Sequence, residues 1–318
     1  MQPLVTVNIL SYNRKDDLRH TLQKVFEQDY KNIEVVVVDN NSSDNSAEMV
    51  KTEFPAVRLL ELQKNIGIAG WNEGAKIAKG EYLLFLDDDS YPVSLTIASV
   101  IQYRETERTI YALDIRTLDG TSYAPYLYNE EPLRTFVGCG VMMKKIYFEQ
   151  IGGYDASLFL YCHEIEFCLR AYQHGFYVRF APDAIVVHVA SPVNRTNGSN
   201  YQTDKRRIYY FQRNIIYILL YFFPLRSILG RVTRFILGRW LFAICHRKGW
   251  ITVKGTVAGM YLVFQQRHSR KVLSSDVCRL FGNGKYFASF FGDGKFAFRR
   301  PYWLSIHLLK NSFLNYSK

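Results

Sequence analysis

Three adjacent carboxylates, Asp87, Asp88 and Asp89, directly follow an apolar segment at residues 82–86. Neighbouring carboxylates repel one another. A divalent cation that prefers oxygen ligands relieves this repulsion and can also hold a diphosphate. The alternative is a helix cap ahead of Pro92, since aspartate is favoured at helix N-termini. The position of the triplet at the end of a predicted strand favours the cation site.

Two further polar clusters follow apolar segments. The cluster from Asp39 to Asp44 comes after residues 33–38. Its side chains can bond the edge of a base or ribose, and they can also form an Asx turn that caps the next helix. Residues 65–74 contain small side chains that let a backbone approach a ligand closely. This segment is not a G-x-G-x-x-G sequence and no Walker-type lysine follows it, which argues against a dinucleotide enzyme and a P-loop ATPase.

Two glutamates and a histidine complete the set of candidate chemical groups. Glu164 and Glu166 lie two residues apart near a predicted helix start, so they do not share a helical face. We expect one of them to face a pocket as a general base and the other to bond into the scaffold. Two solvated helix carboxylates are the alternative. His188 ends an apolar run, where a lone histidine is most often a hydrogen-bonded residue without a catalytic role.

The elements that would position these groups alternate between strand and helix over the first 90 residues. This alternation predicts an α/β fold with a mostly parallel, Rossmann-like sheet flanked by helices. In such sheets ligands bind outside the carboxyl ends of the strands, which is where all the polar clusters lie. The predicted strands are residues 4–10, 33–38, 57–62 and 82–86, and the predicted helices are 16–28, 46–53 and 68–79.

The middle of the chain is less regular. We expect a helix at residues 95–107, and a mixture of short strands and loops at 110–137. The sequence Gly138-Cys139-Gly140 then precedes a strand. The remaining predicted elements are strands 141–143, 178–180 and 184–189, a short helix at 146–150 and a helix that starts within 161–170. A polar loop at 191–204 marks the predicted boundary between a catalytic domain, residues 1–204, and an extension, residues 205–318.

The extension differs from the first domain in charge. Residues 1–190 contain 18 Lys+Arg and 26 Asp+Glu, a balance of −8, whereas residues 191–318 contain 22 and 3, a balance of +19. Residues 208–265 are apolar helices with interspersed arginines, and their longest apolar run, 215–225, is shorter than the roughly 20 residues that a membrane span needs. This basic, aromatic composition predicts a mainly helical extension that lies on an anionic membrane surface. A helical subdomain with a solvated basic face is the alternative.

Several other features of the sequence restrict the partners and the location of the protein. The extension is too apolar for a simple basic arm, so we expect no nucleic-acid partner. Five cysteines at irregular spacing, without a C-x-x-C pair, predict reduced thiols in a cytoplasmic protein, here one that is peripheral on the inner face of the membrane. The first ten residues are typical of a strand and not of a signal peptide. A ten-residue echo at 281–285 and 291–295 predicts tight turns.

Over about residues 4–223 the ordered motifs resemble glycosyltransferase family 2, inverting enzymes with a GT-A fold. Within that family the chain looks most similar to bacterial rhamnosyltransferase-like enzymes of surface-polysaccharide synthesis. The motifs that carry the resemblance are Val5-Thr6-Val7-Asn8-Ile9-Leu10-Ser11-Tyr12-Asn13-Arg14, Val38-Asp39-Asn40-Asn41-Ser42-Ser43-Asp44, Asn65-Ile66-Gly67-Ile68-Ala69-Gly70-Trp71-Asn72, Leu86-Asp87-Asp88-Asp89-Ser90, Gly152-Gly153-Tyr154-Asp155, the Glu164 segment and His188.

The resemblance implies a role for each matching position. Glu164 is the implied catalytic base, in a pattern that departs from the family's Glu-Asp-x-Asp by reading His163-Glu164-Ile165-Glu166. The implied ligands of Mn²⁺ or Mg²⁺ are Asp89, His188 and Asp87. Residues implied to bind the nucleotide-sugar are Ser11, Asn13, Asp39, Asn41, Asn65, Asn72, Asp87 and Asp88. Of these, Asp39 would bind the base and Asp87 or Asp88 the ribose.

The implied reaction moves rhamnose or another hexose from a UDP- or dTDP-sugar to a glycan or lipid-linked acceptor, in bacterial cell-surface polysaccharide or lipopolysaccharide synthesis. Two alternatives stay open. A sugar nucleotidyltransferase also carries carboxylates at strand ends, but it normally has a Gly-rich basic loop where this chain has Ser11-Tyr12-Asn13-Arg14. A catalytically weakened, transferase-like binding protein is compatible with the departure at His163.

Overall fold

The computed structural model describes residues 2–103, 108–128, 132–191, 204–245 and 249–283. The chain divides into two compact units, Met1–Arg195 and Thr196–Lys318. Most of the polar loop predicted at 191–204 and most of the 281–295 echo lie outside the described residues.

The first unit opens with strand and helix in alternation, as predicted. The elements are β1 (Val5–Ser11), α1 (Lys15–Phe26), β2 (Ile33–Asp39), α2 (Ser46–Glu53), β3 (Arg58–Glu61), α3 (Gly70–Ile77) and β4 (Tyr82–Asp87). These four strands are parallel to one another. Most residues of β1, β2 and β4 are apolar and buried, as expected where helices cover both faces of a sheet.

The second half of the unit makes the sheet mixed. It contains β5 (Ser90–Pro92), α4 (Thr96–Gln102), β6 (Thr109–Arg116), β7 (Val141–Lys144), α5 (Lys145–Ile151), α6 (His163–Gln173) and β8 (Tyr177–His188). The eight strands lie in the order β3-β2-β1-β4-β7-β6-β8-β5. Strand β7 is antiparallel to both β4 and β6, β5 is antiparallel to β8, and β6 and β8 are parallel.

Three strands differ from the prediction. The region predicted as short strands and loops begins with β6, a single strand of eight residues inside the sheet. The two strands predicted near the end of the unit are one strand, β8, whose register against β6 shifts between Leu113 and Asp114. The shift accommodates Pro182, Asp183 and Ala184 as a bulge, and this bulge interrupts the apolar pattern without ending the strand. Strand β5, only three residues long and ending in Pro92, was not predicted.

The order of the strands brings the predicted site together. From β1 the sheet extends to β2 and β3 on one side and to β4 on the other, so the topological switch point lies between β1 and β4. Ser11 is in register with Asp39, and Leu10 with Asp87. The carboxyl ends of three neighbouring strands therefore present their polar residues at one edge, where ligands of such sheets bind.

The second unit is helical: α7 (Lys205–Phe222), α8 (Leu225–Cys245), α9 (Gly249–Gln265) and α10 (Ser275–Asn283). Helix α7 packs closely on α9, because a Cβ at Gly259 would be only 2.5 Å from the carbonyl oxygen of Arg213. A buried hydrogen bond of 3.0 Å from Gln212 to Thr256 crosses the same interface. Among the described helices, none is both long and apolar enough to cross a membrane.

Candidate active site

The centre of the site is a buried cluster of charge around Arg14. Its Nη1 lies 2.9 Å from Oδ1 of Asp88 and 3.2 Å from Oδ2 of Asp89. The other oxygen of Asp88 accepts a 3.0 Å hydrogen bond from the backbone N–H of Tyr12. The loop after β1 thus binds the second and third carboxylates of the triplet, Asp88 and Asp89, through Tyr12 and Arg14.

Burial has a large effect on Asp88. Removal from water and the neighbouring carboxylates together raise the pKa of Asp88 to about 7, against the attraction of Arg14. For Arg14 burial acts in the opposite direction, but its acidic neighbours prevail and the pKa of Arg14 is raised. The guanidinium therefore stays charged while Asp88 exchanges its proton near neutral pH.

Asp89 joins the triplet to the end of β8. Its Oδ2 accepts a 3.0 Å hydrogen bond from the backbone N–H of Ser191, and its Oδ1 lies 3.4 Å from Nε2 of His188. The backbone carbonyl of Asp89 accepts from the N–H of Val189 at 2.9 Å. An oxygen and a nitrogen at this separation can share one cation.

Asp87 lies at the same edge but with different neighbours. It is half-buried, and one of its carboxylate oxygens, Sγ of Cys139 and a ring nitrogen of His188 all lie within 4.8 Å of one another. These donors, together with Asp89 beside His188, fit a divalent cation in charge and spacing. Asp87, Asp89 and His188 would hold the ion, and Cys139 is a neighbour that the sequence did not single out.

The end of β2 carries the predicted base-binding residue. Oδ2 of Asp39 accepts from the N–H of Ser42 at 3.0 Å, whereas Oδ1 is buried and makes no hydrogen bond in the described structure. The hydroxyl of Ser11, its neighbour in register on β1, is likewise buried without a partner in that part of the chain. Buried polar atoms without a partner are costly, so this pair is suited to a polar ligand.

The remaining polar residues of these two loops brace one another. The side-chain oxygen of Asn13 accepts a 2.6 Å hydrogen bond from the N–H of Ser43, and the N–H of Asn13 donates to Ser42 at 2.9 Å. Asn41 is exposed, and its positive φ of 65° is one that asparagine tolerates. The predicted Asx turn and a nucleotide contact at Asn41 are both compatible with this loop.

Asn65 and Asn72 lie elsewhere, in a cleft of about 730 Å³ between α3 and α5 that the three aspartates do not line. Both polar atoms of the Asn72 side chain bond the backbone of Tyr154, each at 2.8 Å. The side chain of Asn65 accepts from the N–H of Gly67 at 2.8 Å. Their predicted contacts with the nucleotide stay predictions. Trp71 between them is a core residue whose indole N–H bonds the carbonyl of Leu86.

The predicted base, Glu164, lies in the first turn of α6 and keeps part of its side chain in solvent. Its Oε2 is 3.4 Å from Nδ1 of His163, whose buried ring makes no hydrogen bond within the described residues. A Cβ at Gly138 would lie 2.9 Å from Nε2 of His163 and 3.2 Å from Oε1 of Glu164. The loop before β7 therefore comes close to both side chains because residue 138 is a glycine.

Glu166 has a different environment, as its spacing from Glu164 predicts. It is fully buried and forms a two-bond ion pair with Arg170, at 2.5 and 2.7 Å. Burial raises its pKa and Arg170 opposes this shift. Arg170 also donates to the carbonyls of Ile151 and Gly153, so the pair ties α6 to the turn after α5. Glu166 is thus the carboxylate that bonds into the scaffold.

Comparison with known sequences decides the family. The profile described as "Glycosyl transferase family 2" matches residues 6–167, about half of the chain. The chain belongs to glycosyl transferase family 2.

The individual relatives share about a quarter to a third of their residues with this chain over the aligned part. The family 2 chain is 36% identical over 112 residues to the Escherichia coli UDP-Glc:alpha-D-GlcNAc-diphosphoundecaprenol beta-1,3-glucosyltransferase WfaP, an alignment that covers 34% of this chain and 44% of that enzyme. It is 27% identical to the uncharacterised glycosyltransferase YwdF of Bacillus subtilis, over 64% of this chain and 81% of YwdF. This chain therefore spans less than half of WfaP.

A solved structure supports the fold. The mannosyltransferase PcManGT from Pyrobaculum calidifontis, in complex with GDP-Man and Mn²⁺, matches with a TM-score of 0.55 at 18% identity. The match covers 91% of this chain and 81% of that one. The family 2 glycosyltransferase described here therefore has the predicted GT-A fold.

The strand ends of this glycosyltransferase bring together most of the predicted residues: Ser11, Asn13, Asp39, Asn41, Asp87, Asp88, Asp89 and His188. Two groups in contact with them, Arg14 and Cys139, were not predicted as site residues. Arg14 lies in the first family motif and is one of five basic residues between Ser11 and Asp44, the others being Lys15, Arg19, Lys24 and Lys31. Nothing in the spacing of those five basic residues distinguishes it. Cys139 is recognisable only once the pairing of β4 with β7 is known.

Proposed function

We propose that this glycosyltransferase moves a sugar, rhamnose or another hexose, from a UDP- or dTDP-sugar to a glycan or lipid-linked acceptor with inversion at the anomeric carbon. The observation that carries the proposal is a pair of buried polar atoms beside the carboxylate triplet, Oγ of Ser11 and Oδ1 of Asp39, which make no hydrogen bond among the described residues. Oδ1 of Asp39 can accept a hydrogen bond from a base N–H, and Ser11 can bond the nucleoside.

The proposed reaction is a single displacement. Glu164 removes the proton from an acceptor hydroxyl, and that oxygen forms a bond to the anomeric carbon. The bond from the anomeric carbon to the diphosphate breaks on the opposite face, and the nucleoside diphosphate leaves. When bound, Mn²⁺ or Mg²⁺ supplies charge neutralisation for this leaving group, and Asp87, Asp89 and His188 would hold it.

The surroundings of Glu164 support its role. The carboxylate is only partly exposed, and buried polar atoms without a described partner lie on His163 and on the hydroxyl of Tyr154. Burial raises the pKa of Tyr154, and the charges of Glu164 and Asp87 add to this effect. The buried tyrosine hydroxyl thus stays protonated within the electrostatic influence of both the base and the carboxyl end of β4.

The setting in bacterial cell-surface polysaccharide or lipopolysaccharide synthesis rests on the relatives. The name of WfaP states a UDP-glucose donor and an acceptor on diphosphoundecaprenol. A membrane-borne acceptor of that chemistry agrees with the composition of residues 191–318, with 22 Lys+Arg against 3 Asp+Glu. We propose a cytoplasmic enzyme that is peripheral on the inner face of the membrane.

Two helices of the second unit support membrane contact. Leu225, Leu229, Leu237 and Leu241 recur at multiples of four residues along α8, and all are exposed among the described residues. Exposed Trp250, Val257, Tyr261 and Phe264 recur at helical spacing on α9. Apolar stripes in a basic unit fit an anionic bilayer surface.

The catalytic part of the proposal is tested by turnover of Glu164→Gln and Asp89→Ala, with Glu53→Gln on exposed α2 as the control. We expect each site variant to lower turnover by at least about a hundredfold, the size of a general-base contribution. A thermal-shift screen of nucleoside diphosphates and their sugars, with Mn²⁺ or Mg²⁺, identifies the donor. Near-normal turnover of Glu164→Gln would remove it as the base.

The membrane part is tested by sedimentation with vesicles of anionic or zwitterionic lipid. We expect binding to anionic vesicles that weakens with salt, and weaker binding of Leu229→Ser/Leu241→Ser. Equal binding to both vesicle types, or none, contradicts this part and leaves the catalytic proposal standing.

A further inference from the structure

The donor atoms of Asp87, Cys139 and His188 form a cluster in which each lies within 4.8 Å of the other two. Cys139 and His188 are buried, whereas Asp87 is only half-buried. An ion bound among them would thus keep an open side next to the first carboxylate of the triplet. A carboxylate, a thiol and an imidazole converge here from three separate segments of the chain.

Strand pairing holds these segments in place. The antiparallel pairing of β4 with β7 ends at Phe85 and Val141, so Asp87 follows this paired segment by two residues and Cys139 precedes it by two. His188 is paired with Ser90, and the hydroxyl of Ser90 accepts from the N–H of Asp87 at 3.0 Å. The same hydroxyl lies 3.1 Å from the carbonyl oxygen of Asp87. Asp87 and His188 thus end paired strands, and Cys139 lies in the turn that leads into β7.

The turn around Cys139 further restricts its position. The N–H of Gly140 donates to the carbonyl of Val137 at 3.1 Å, and the carbonyl of Gly140 accepts from Leu113 at 3.0 Å. A Cβ at Gly140 would lie 2.1 Å from Cδ1 of Ile115. The backbone on either side of Cys139 is therefore fixed against β6, and its Sγ stays at the cation site.

The chemistry of the three donors differs from an all-oxygen site. Mg²⁺ strongly prefers oxygen ligands in octahedral geometry, whereas thiolate and imidazole ligands favour first-row transition metals. We propose that Cys139 Sγ ligates the divalent cation together with Asp87 and His188, so that the site binds a transition-metal ion in preference to Mg²⁺. On binding, the Sγ–H bond breaks, the proton goes to solvent and a sulfur lone pair binds the metal.

This inference rests on the divalent-metal part of the proposed function and adds a ligand to it. The test titrates Co²⁺ into the metal-free full chain and records the near-ultraviolet band that charge transfer from a thiolate to Co²⁺ produces. We expect the band in the unaltered protein, its loss in Cys139→Ser and in His188→Ala, and its retention in Cys278→Ser, which removes a thiol of the second unit.

Affinity gives an independent readout. Loss of a partner that merely supports a metal ligand lowers affinity about 10–100-fold, so loss of a direct ligand in Cys139→Ser should weaken Co²⁺ binding by at least about tenfold. Binding of Mg²⁺, which the thiol does not favour, should change much less. Because serine is close to cysteine in size, unfolding in urea should show a stable Cys139→Ser protein, and Cys139→Ala is a second variant that offers no side-chain donor.

The outcomes separate this inference from the proposed function. If Co²⁺ binds without the band, or if the band survives in Cys139→Ser and Cys139→Ala, Cys139 is not a ligand and the cofactor assignment stands. If neither Co²⁺ nor Mg²⁺ binds, both the thiolate ligand and the metal part of the proposed function are wrong.

Discussion

Nη1 of Arg14 lies 2.9 Å from Oδ1 of Asp88, and both side chains are almost entirely removed from solvent. The same guanidinium is 3.2 Å from Asp89. Removing one partner of a buried ion pair leaves an uncompensated charge, so Arg14→Met should lower the free energy of unfolding by about 3–5 kcal/mol near pH 8. Urea denaturation measures this loss.

The matched control for Arg14 is Arg19→Met, since Arg19 also contacts two carboxylates, Asp16 and Glu53, but at the surface. Exposed pairs are screened by water and salt, so the control should leave the urea midpoint nearly unchanged. Equal losses in both variants would show that the burial of the Arg14 pair is not what makes it important.

The raised pKa of Asp88 predicts a specific pH dependence. Its value in the folded chain, about 7, exceeds the unfolded value of about 4, so the folded state binds this proton more tightly. This carboxyl therefore makes the stability fall as pH rises from about 4 to about 7, and the full penalty remains above that range. In EDTA, the melting temperature of Asp88→Asn relative to the unaltered protein should rise between pH 5 and 8.

A carboxyl with the opposite shift provides the control. Hydrogen bonds from Thr117 and Thr121 lower the pKa of exposed Asp119 to about 2. Its contribution is present above the unfolded pKa and is lost only as pH falls towards about 2, so Asp119→Asn should show a constant difference between pH 5 and 8. A parallel trend in the two variants would contradict the assignment to Asp88.

Gly138 links the loop before β7 to the proposed base. Because a Cβ there would be 2.9 Å from His163 and 3.2 Å from Glu164, Gly138→Ala should displace Glu164. A misplacement of about 1 Å costs on the order of a hundredfold in rate, so turnover should fall more than stability does. Steady-state kinetics and thermal melting on the same samples measure both quantities.

Gly238→Ala on α8 controls for the loss of a glycine, because a Cβ there meets no atom within 4 Å. It should keep full turnover and, as a helix-interior change from glycine to alanine, stabilise the protein slightly. If Gly138→Ala retains normal turnover, the close approach of this loop does not position the base.

We predict that removing the side chain of Asn72 lowers the stability of the protein. Its side chain makes two hydrogen bonds of 2.8 Å to the backbone of Tyr154, and Asn72→Ala leaves both backbone groups without these partners. The expected cost is about 1–3 kcal/mol, measured by urea denaturation. Exposed Asn32, whose side chain donates a hydrogen bond to the carbonyl of Gln2, gives a control with a smaller effect. If the folded Asn72→Ala variant has a higher KM for the donor, this would support the contact of Asn72 with the nucleotide that the motif predicts.

The parts of this structure that were predictable depend on local pattern. The runs that form β1, β2 and β4 are mainly apolar. Asp39 and Asp87 follow from the rule that ligands bind at the carboxyl ends of parallel strands. Residues 109–116 were not recognised as a strand because Asp114 and Arg116 interrupt the pattern. Those two side chains bond each other at 2.8 Å at the strand's end, and this pairing is visible only in three dimensions.

The parts that were missed depend on long-range pairing. Cys139 joins the site only through the antiparallel register of β7 with β4, which connects residues more than 50 positions apart. Arg14 resembles its basic neighbours in sequence, and only the burial of Asp88 and Asp89 distinguishes it. Asn72 lies in a motif of the family, yet its bonds to Tyr154 depend on how α3 packs against the turn after α5.

Glu164 and Glu166 lie within one turn of α6, and substituting each in turn separates a structural role from a catalytic one. Glu166→Gln breaks a buried pair with Arg170, which also holds the carbonyls of Ile151 and Gly153, and should cost about 3–5 kcal/mol of stability. Glu164→Gln removes a partly exposed carboxylate that lies 3.4 Å from Nδ1 of His163. It should leave the urea midpoint almost unchanged while turnover falls. Measured at a temperature where both variants stay folded, the reverse pattern would exchange the roles of the two glutamates.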